Sequence, residues 1–300
     1  MGRSRLGFLL SMIIFGTIGV FRRFLDLPSG VIALSRGVIG TLVLLLVVAL
    51  SRRGLSWRAI RKNLPVLCVS GALVGLNWVA LFEAYRYTTV ATATLCYYMA
   101  PVFVILAAPF VLRERLTLRK GICAFCALVG MVLVSGVLTD GGRDLRGIGC
   151  GLLAAAFYAT VMLLNQKLHD ISAYERTVLQ LAMASAVVLP YVILAEDVAL
   201  SALTLSSVAL LLLMGVLHTG VAYALYFGSM ERLSAQTVAI FSYVDPIVAL
   251  VLSAIILHEG MGLVSILGAA LILGAAIVSE LPPRSRKIKT DAEIVKNETE

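Results

Sequence analysis

The sequence predicts an all-α integral membrane protein, with ten transmembrane helices forming two inverted five-helix repeats. Three observations lead there. Of its 300 residues, 60% are hydrophobic and only 14% charged, with a mean hydropathy of +0.98, far from the balance of a soluble domain. The apolar residues recur in runs of about 20, the length that crosses a bilayer core as a helix. And residues 81–136 have a degenerate, gap-free copy at 226–281, 145 positions later. Phe82, Thr92, Tyr98, Pro101, Leu112, Glu114 and Ala124 fall on Phe227, Thr237, Tyr243, Pro246, Leu257, Glu259 and Ala269. A repeat covering so much of a membrane chain is how many transporters are built.

The ten runs are residues 6–25, 29–50, 64–85, 88–112, 119–138, 147–166, 174–195, 206–229, 235–257 and 262–280. The first follows Arg3 and Arg5 as a signal peptide would, but it is long and ends in Phe21-Arg22-Arg23 without a small-residue cleavage site, so it reads as a helix. Basic residues sort by loop. With the N-terminus inside, nineteen lie on inner segments and five on outer ones (Arg22, Arg23, Arg86, Arg143 and Arg146), leaving Arg36 within a helix. That asymmetry predicts a cytoplasmic-membrane protein with both termini cytoplasmic. The net charge of +8 is therefore topogenic and no nucleic-acid footprint. Five crossings per half invert the second half relative to the first. The expected organisation is a first repeat at 1–138, a linker at 139–146, a second repeat at 147–281 and a disordered cytoplasmic tail at 282–300.

Several positions in these runs invite a structural or functional role. The first run has small residues at Ser11, Gly16, Thr17 and Gly19, suited to close helix approach. Arg36 in the second should face the bundle and find a partner, Asp26 and Glu83 being the carboxylates on the same side. The third places Gly71 and Gly75 as a packing notch below Asn77, Trp78 and Glu83. The fourth brings Tyr97, Tyr98 and Pro101 to mid-depth, where proline kinks a helix and frees a carbonyl. Tyr158 lies on the small-to-polar stripe of the sixth run, and His218 sits near the centre of the eighth.

The ninth run carries the sharpest signal. Asp245 lies about ten residues, roughly 15 Å, from its inner end and so near the middle of a ~30 Å core. A central carboxylate costs about 3 kcal/mol to insert. Its counterpart in the first repeat is Ala100, so the fold does not require it, and Pro246 follows immediately. No cofactor or metal is implied: Cys123-x-x-Cys126 has no second pair, and His169, His218 and His258 are predicted at three different depths. The same scatter argues against an intramembrane enzyme.

The segments SYVDPIVALVLSAIILHE at 242–259 and YYMAPVFVILAAPFVLRE at 97–114 resemble the paired signature helices of the EamA-like branch of the drug/metabolite transporter superfamily. Arg36 and the approach LYFGSMERLSAQTVAIFSY at 225–243 are similar to that pattern as well. The resemblance implies a ten-helix inverted-repeat transporter, with members that export amino acids or related metabolites. Two departures stand out: Arg113 and His258 replace the usual glycine before each terminal glutamate, and Asp245 stands where many relatives have glutamate.

The resulting expectation is a secondary active transporter, not an enzyme, moving a small polar solute through the lipid bilayer by alternating access. Asp245, His218, Tyr97, Tyr98, Tyr158, Tyr243, Asn77 and Trp78 would bind solute or couple it to protons or another ion. Pro101, Pro246, Glu114, Glu259, Arg36 and Glu83 would be structural. The alternative is proton-coupled uptake of a small cationic or quaternary-amine nutrient, which aromatic walls would also suit.

Overall fold

A computed structural model describes residues 2–51, 55–113, 116–135, 145–197, 203–230 and 232–281. Among them every regular element is helical. They are α1 (Arg3–Gly16), α2 (Ile18–Arg23), α3 (Ser29–Leu50), α4 (Trp57–Tyr87), α5 (Val90–Tyr97), α6 (Ala100–Val111), α7 (Leu118–Val134), α8 (Leu145–Asn165), α9 (Ala173–Ala195), α10 (Leu205–Leu213), a π-helix (Met214–Val221), α11 (Ala222–Met230), α12 (Ala235–Ser242), α13 (Val244–Ile256) and α14 (Leu263–Glu280).

Seven continuous helical stretches of the described residues are long and apolar enough to cross a membrane, and Leu118–Val134, Ile240–Ile256 and Leu263–Ser279 are shorter apolar helices. Together they occupy all ten predicted runs. Large apolar side chains point outward along them: Phe110 is 87% exposed, Leu194 84% and Phe125 68%. Facing water these would be a liability; facing acyl chains they cost nothing.

The described interior is packed in two large apolar clusters and a smaller third around Val48, Tyr174 and Phe227. Ile32, Leu44, Phe82, Leu181 and Met214 join α3, α4, α9 and the π-helix. Leu95, Met99, Ala127, Ala155 and Ile272 join α5, α7, α8 and α14. The predicted notch is filled by α9: a Cβ at Gly71 would lie 2.6 Å from the Met183 side chain, and one at Gly75 2.9 Å from the Ala184 carbonyl. Gln180 on the same helix donates to Ser70 and to Asn165, both at 2.8 Å.

Four expectations need correcting. The first run is broken at Thr17, which separates α1 from α2. The fourth and ninth runs are not single kinked helices. Each stops at a tyrosine, Tyr98 or Tyr243, and a new helix begins with the proline in its first turn. Proline fits there because a first-turn N–H has no intrahelical acceptor to lose. The eighth run is not α-helical throughout: Met214–Val221 is a π-helix, whose wider turn leaves hydropathy unchanged and so has no signature in a hydrophobic run.

Paired features recur at the repeat spacing. Thr89 caps α5 through the Thr92 amide at 3.0 Å, and Ser234, 145 positions on, caps α12 through the Thr237 amide at 3.3 Å. Arg113 and His258 both have left-handed backbones, with φ of 57° and 54°. Residues 136–144, covering most of the predicted linker, and the tail from 282 lie outside the described residues, as does Glu114.

Candidate functional site

Two helix starts in mid-bundle position the site. Asp245 is the second residue of α13, where the unpaired N–H groups and helix dipole favour a negative charge. Its Oδ2 accepts the Tyr98 hydroxyl at 2.7 Å, which ties the break in one span to the break in the other. Oδ1 has no hydrogen-bond partner and is not sealed by protein. The Asp245 backbone is itself pinned, since Gly16 of α1 packs so closely that a Cβ there would lie 2.6 Å from its carbonyl oxygen.

Aromatic rings from several helices surround this point. Tyr97 meets Tyr158 of α8 at 5.3 Å between centroids and Tyr98 at 6.1 Å, while Tyr98 meets Tyr243 at 6.3 Å. On the α11 side, Tyr223 lies 5.3 Å from Phe15 and Tyr226 6.3 Å. Tyr85, on α4, reaches Thr94 with its hydroxyl at 3.3 Å. Such rings offer flat apolar walls with polar tips, a surface suited to a solute that is part apolar and part charged.

His218 is fully buried and makes no hydrogen bond to Asp245. Its Nε2 lies 2.7 Å from the Thr17 hydroxyl, which lies 2.7 Å from the Ile14 carbonyl as well. A neutral imidazole carrying its proton on Nε2 satisfies both contacts, and Nδ1 then has no partner. Phe21 packs edge-on at 5.0 Å. The histidine thus braces the break between α1 and α2. Thr219, the next residue, is also fully buried and accepts Arg36 Nε at 3.2 Å. Two successive residues of the π-helix thus face inward to different helices.

Arg36 differs most from expectation. It is 3% exposed, yet neither Asp26 nor Glu83 pairs with it. Glu83 bonds instead to Arg86 at 3.0 Å, and Asp26 lines a cleft of about 500 Å³ with Arg22, Arg23 and Arg86. The guanidinium lies over the Trp78 ring at 4.4 Å and the Phe82 ring at 5.2 Å, which places Trp78 beneath a cation. Asn77 is set apart from the aromatic group: it is 1% exposed and donates to the Ala154 carbonyl at 2.6 Å, stapling α4 to α8.

Glu259 sits away from this centre. One oxygen accepts Arg23 at 2.6 Å; the other accepts the Val90 amide at 2.8 Å and the Ser253 hydroxyl at 2.5 Å. It thereby closes the N-terminus of α5. At the C-terminal end of α9, Glu196 accepts the Gly30 and Val31 amides at 2.7 and 3.0 Å and so caps α3; burial pushes its carboxyl above the usual range. Among the described residues no cluster of His, Cys, Asp and Glu could hold a metal ion.

Of the residues singled out in the sequence, the structure brings Asp245, Tyr97, Tyr98, Tyr158 and Tyr243 together. Tyr223, Tyr226 and Thr219 were not among them, and Thr17 was marked only as a small residue for close helix approach. A tyrosine pair three apart, next to a central histidine, was a usable signal for Tyr223 and Tyr226. Nothing local marks Thr219 as the acceptor for an arginine 183 residues earlier.

A profile of the EamA-like transporter family matches this chain twice, over residues 3–136 and 145–280. The "Uncharacterized transporter YxxF" of Bacillus subtilis (strain 168) is 31% identical over 276 residues, covering 88% of this chain and 87% of that protein. Protein PecM of Dickeya dadantii is 26% identical over 241 residues, covering 76% and 80%. The pseudopaline exporter CntI of Pseudomonas aeruginosa is 28% identical over 168 residues, covering 55% and 56%. A solved structure described only as a crystal structure of a protein superposes with a TM-score of 0.64 at 19% identity, over 92% of this chain and 96% of that one, a likeness of fold. The aromatic site draws residues from both matched segments of a multi-pass membrane protein that handles a small-molecule solute and is no enzyme, and the chain belongs to the EamA-like transporter family.

Proposed function

We propose that the protein is a secondary active transporter exporting amino acids or related small polar metabolites across the cytoplasmic membrane. Its two halves, 1–138 and 147–281, act as inverted repeats around one midplane site, with both termini in the cytoplasm and a proton or other ion gradient as the drive. One observation carries this reading. Asp245 opens a helix in mid-bundle, keeps one carboxylate oxygen for Tyr98 and presents the other, unpartnered, among tyrosines from both halves. A carboxylate held in this way offers a solute ammonium a charged partner in a low-dielectric site. Alternating access suits inverted repeats with interrupted helices at their interface. Export is favoured by the similarity to a protein named as a pseudopaline exporter.

Counterflow in proteoliposomes tests it. Vesicles loaded with each unlabelled amino acid should accumulate the labelled form when wild-type protein is present. Asp245→Asn should fall to the empty-vesicle background while remaining monodisperse in detergent. Exchange that survives in Asp245→Asn would remove the carboxylate from the mechanism; no exchange with any amino acid would remove the proposed substrate class.

A further inference from the structure

We infer that Arg36 is an anchor for an anionic group of the solute, so that the site takes a small zwitterion, its carboxylate on Arg36 and its ammonium on Asp245. This rests on the transport reading above and deepens it. An arginine has five N–H donors in a fixed fork. Here Nε donates to Thr219, whereas the two terminal nitrogens make no hydrogen bond and are not enclosed by protein. The rest of the side chain is sealed, at 3% exposure, between Trp78, Phe82 and the π-helix. Arg36 is therefore gripped by its stem and by its ring faces, with the fork end left open.

No carboxylate of the described residues neutralises it. A structural arginine in hydrocarbon would be expected to carry such a partner, because an isolated buried charge is costly. Asp245 is the complementary case, a carboxylate with one oxygen held and one open. The two charges do not pair with each other, yet one aromatic cluster joins them: Arg36 lies over Phe82, which meets Tyr85 at 6.5 Å, and Tyr97 packs against the same cluster and meets at 6.1 Å the Tyr98 that holds Asp245. A purely cationic solute would satisfy Asp245 and be repelled by Arg36; a purely anionic one would meet the reverse. A molecule with both charges neutralises both, and the guanidinium fork suits a planar carboxylate in two parallel hydrogen bonds. This also argues against the quaternary-amine alternative.

The test uses purified full-length protein in detergent, with the twenty L-amino acids, their methyl esters and their N-acetyl derivatives as probes. Binding is read as a concentration-dependent rise in apparent thermal midpoint. Wild type should bind at least one free amino acid and bind its ester and N-acetyl forms at least about tenfold more weakly, a difference of one strong charged contact. Arg36→Gln should lose the preference for the acid over the ester while still taking the ester through Asp245. Arg36→Lys, which keeps the charge without the fork, and Thr219→Val, which frees the Nε end, should reduce the preference in part. Should Arg36→Gln not stay monodisperse, the lysine variant decides by the same ratio.

A variant that keeps the wild-type preference makes Arg36 a packing residue and overturns the proposal. So does a wild type that binds esters as well as acids, or none of the probes. Arg36-dependent binding without exchange in proteoliposomes would keep the anchor and sink the transport reading instead.

Discussion

The Glu259 carboxylate accepts the Val90 backbone amide at 2.8 Å, closing the N-terminus of α5 from a residue 169 positions away. The same group takes Arg23 at 2.6 Å, so one side chain joins the end of α2, the start of α5 and the loop after α13. Replacing it with alanine leaves an amide and a guanidinium without their acceptor. Glu259→Ala should lower stability by about 1–3 kcal/mol, the cost of unmade buried hydrogen bonds. Glu259→Gln, which keeps an acceptor, should lose less. Apparent unfolding midpoints in detergent measure both.

A left-handed residue with a side chain is strained by about 1–2 kcal/mol, whereas glycine is not. Arg113 and His258 hold that conformation at φ 57° and 54°. Set against glycine's larger entropy loss on folding, Arg113→Gly and His258→Gly should each raise stability by about 0.5–1 kcal/mol. The pair should add, since each is a local backbone effect with no shared partner. A fall in midpoint for either would mean that its side chain makes a contact outweighing the strain.

Gly16 tests how closely the site is built. Its absent side chain lets α1 approach the Asp245 carbonyl, and a Cβ would also come within 2.7 Å of the Val248 side chain. The carbonyl is backbone and has nowhere to turn. Gly16→Val should cost about 1–3 kcal/mol through overpacking and, by displacing Asp245, reduce counterflow more than its stability loss accounts for. Activity retained in a destabilised variant would separate the helix contact from the site.

Thr17 and His218 should behave as a coupled pair. Thr17→Val strips the imidazole Nε2 of its partner, and His218→Phe strips the hydroxyl of its second. Each single change should destabilise by about 1–3 kcal/mol. The double variant should lose less than the sum by 0.5–3 kcal/mol, as contacting residues do. Strict additivity would mean that the 2.7 Å contact contributes nothing.

What the sequence revealed and what it concealed divide along physical lines. Run length locates a span because hydrocarbon thickness fixes it, and all ten runs were legible on that basis. Asp245 was legible because a central carboxylate is expensive wherever it points. Tyr98 and Tyr243 as helix ends were not: proline signals disturbance, and only hydrogen-bond connectivity distinguishes a kink from a stop. Arg36 was legible as a residue needing explanation, but its partners were not. A threonine on Nε and two ring faces hold the side chain in place, and hydropathy records none of them.

The π-helix holds more residues per turn than the α-helices joined to it at either end. Removing one residue between 214 and 221 would therefore not simply shorten the span. It would wind the wide turn back to α geometry, and because a π turn takes up about one residue more than an α turn, the helix beyond it would keep nearly its old facing. Tyr223 and Tyr226 would stay on the aromatic wall, whereas a deletion in the α-helical part of the span would rotate everything beyond it by about 100°, one residue's share of a turn. In this span a one-residue difference between relatives is absorbed inside that turn, and their sequences are best aligned with any gap placed there.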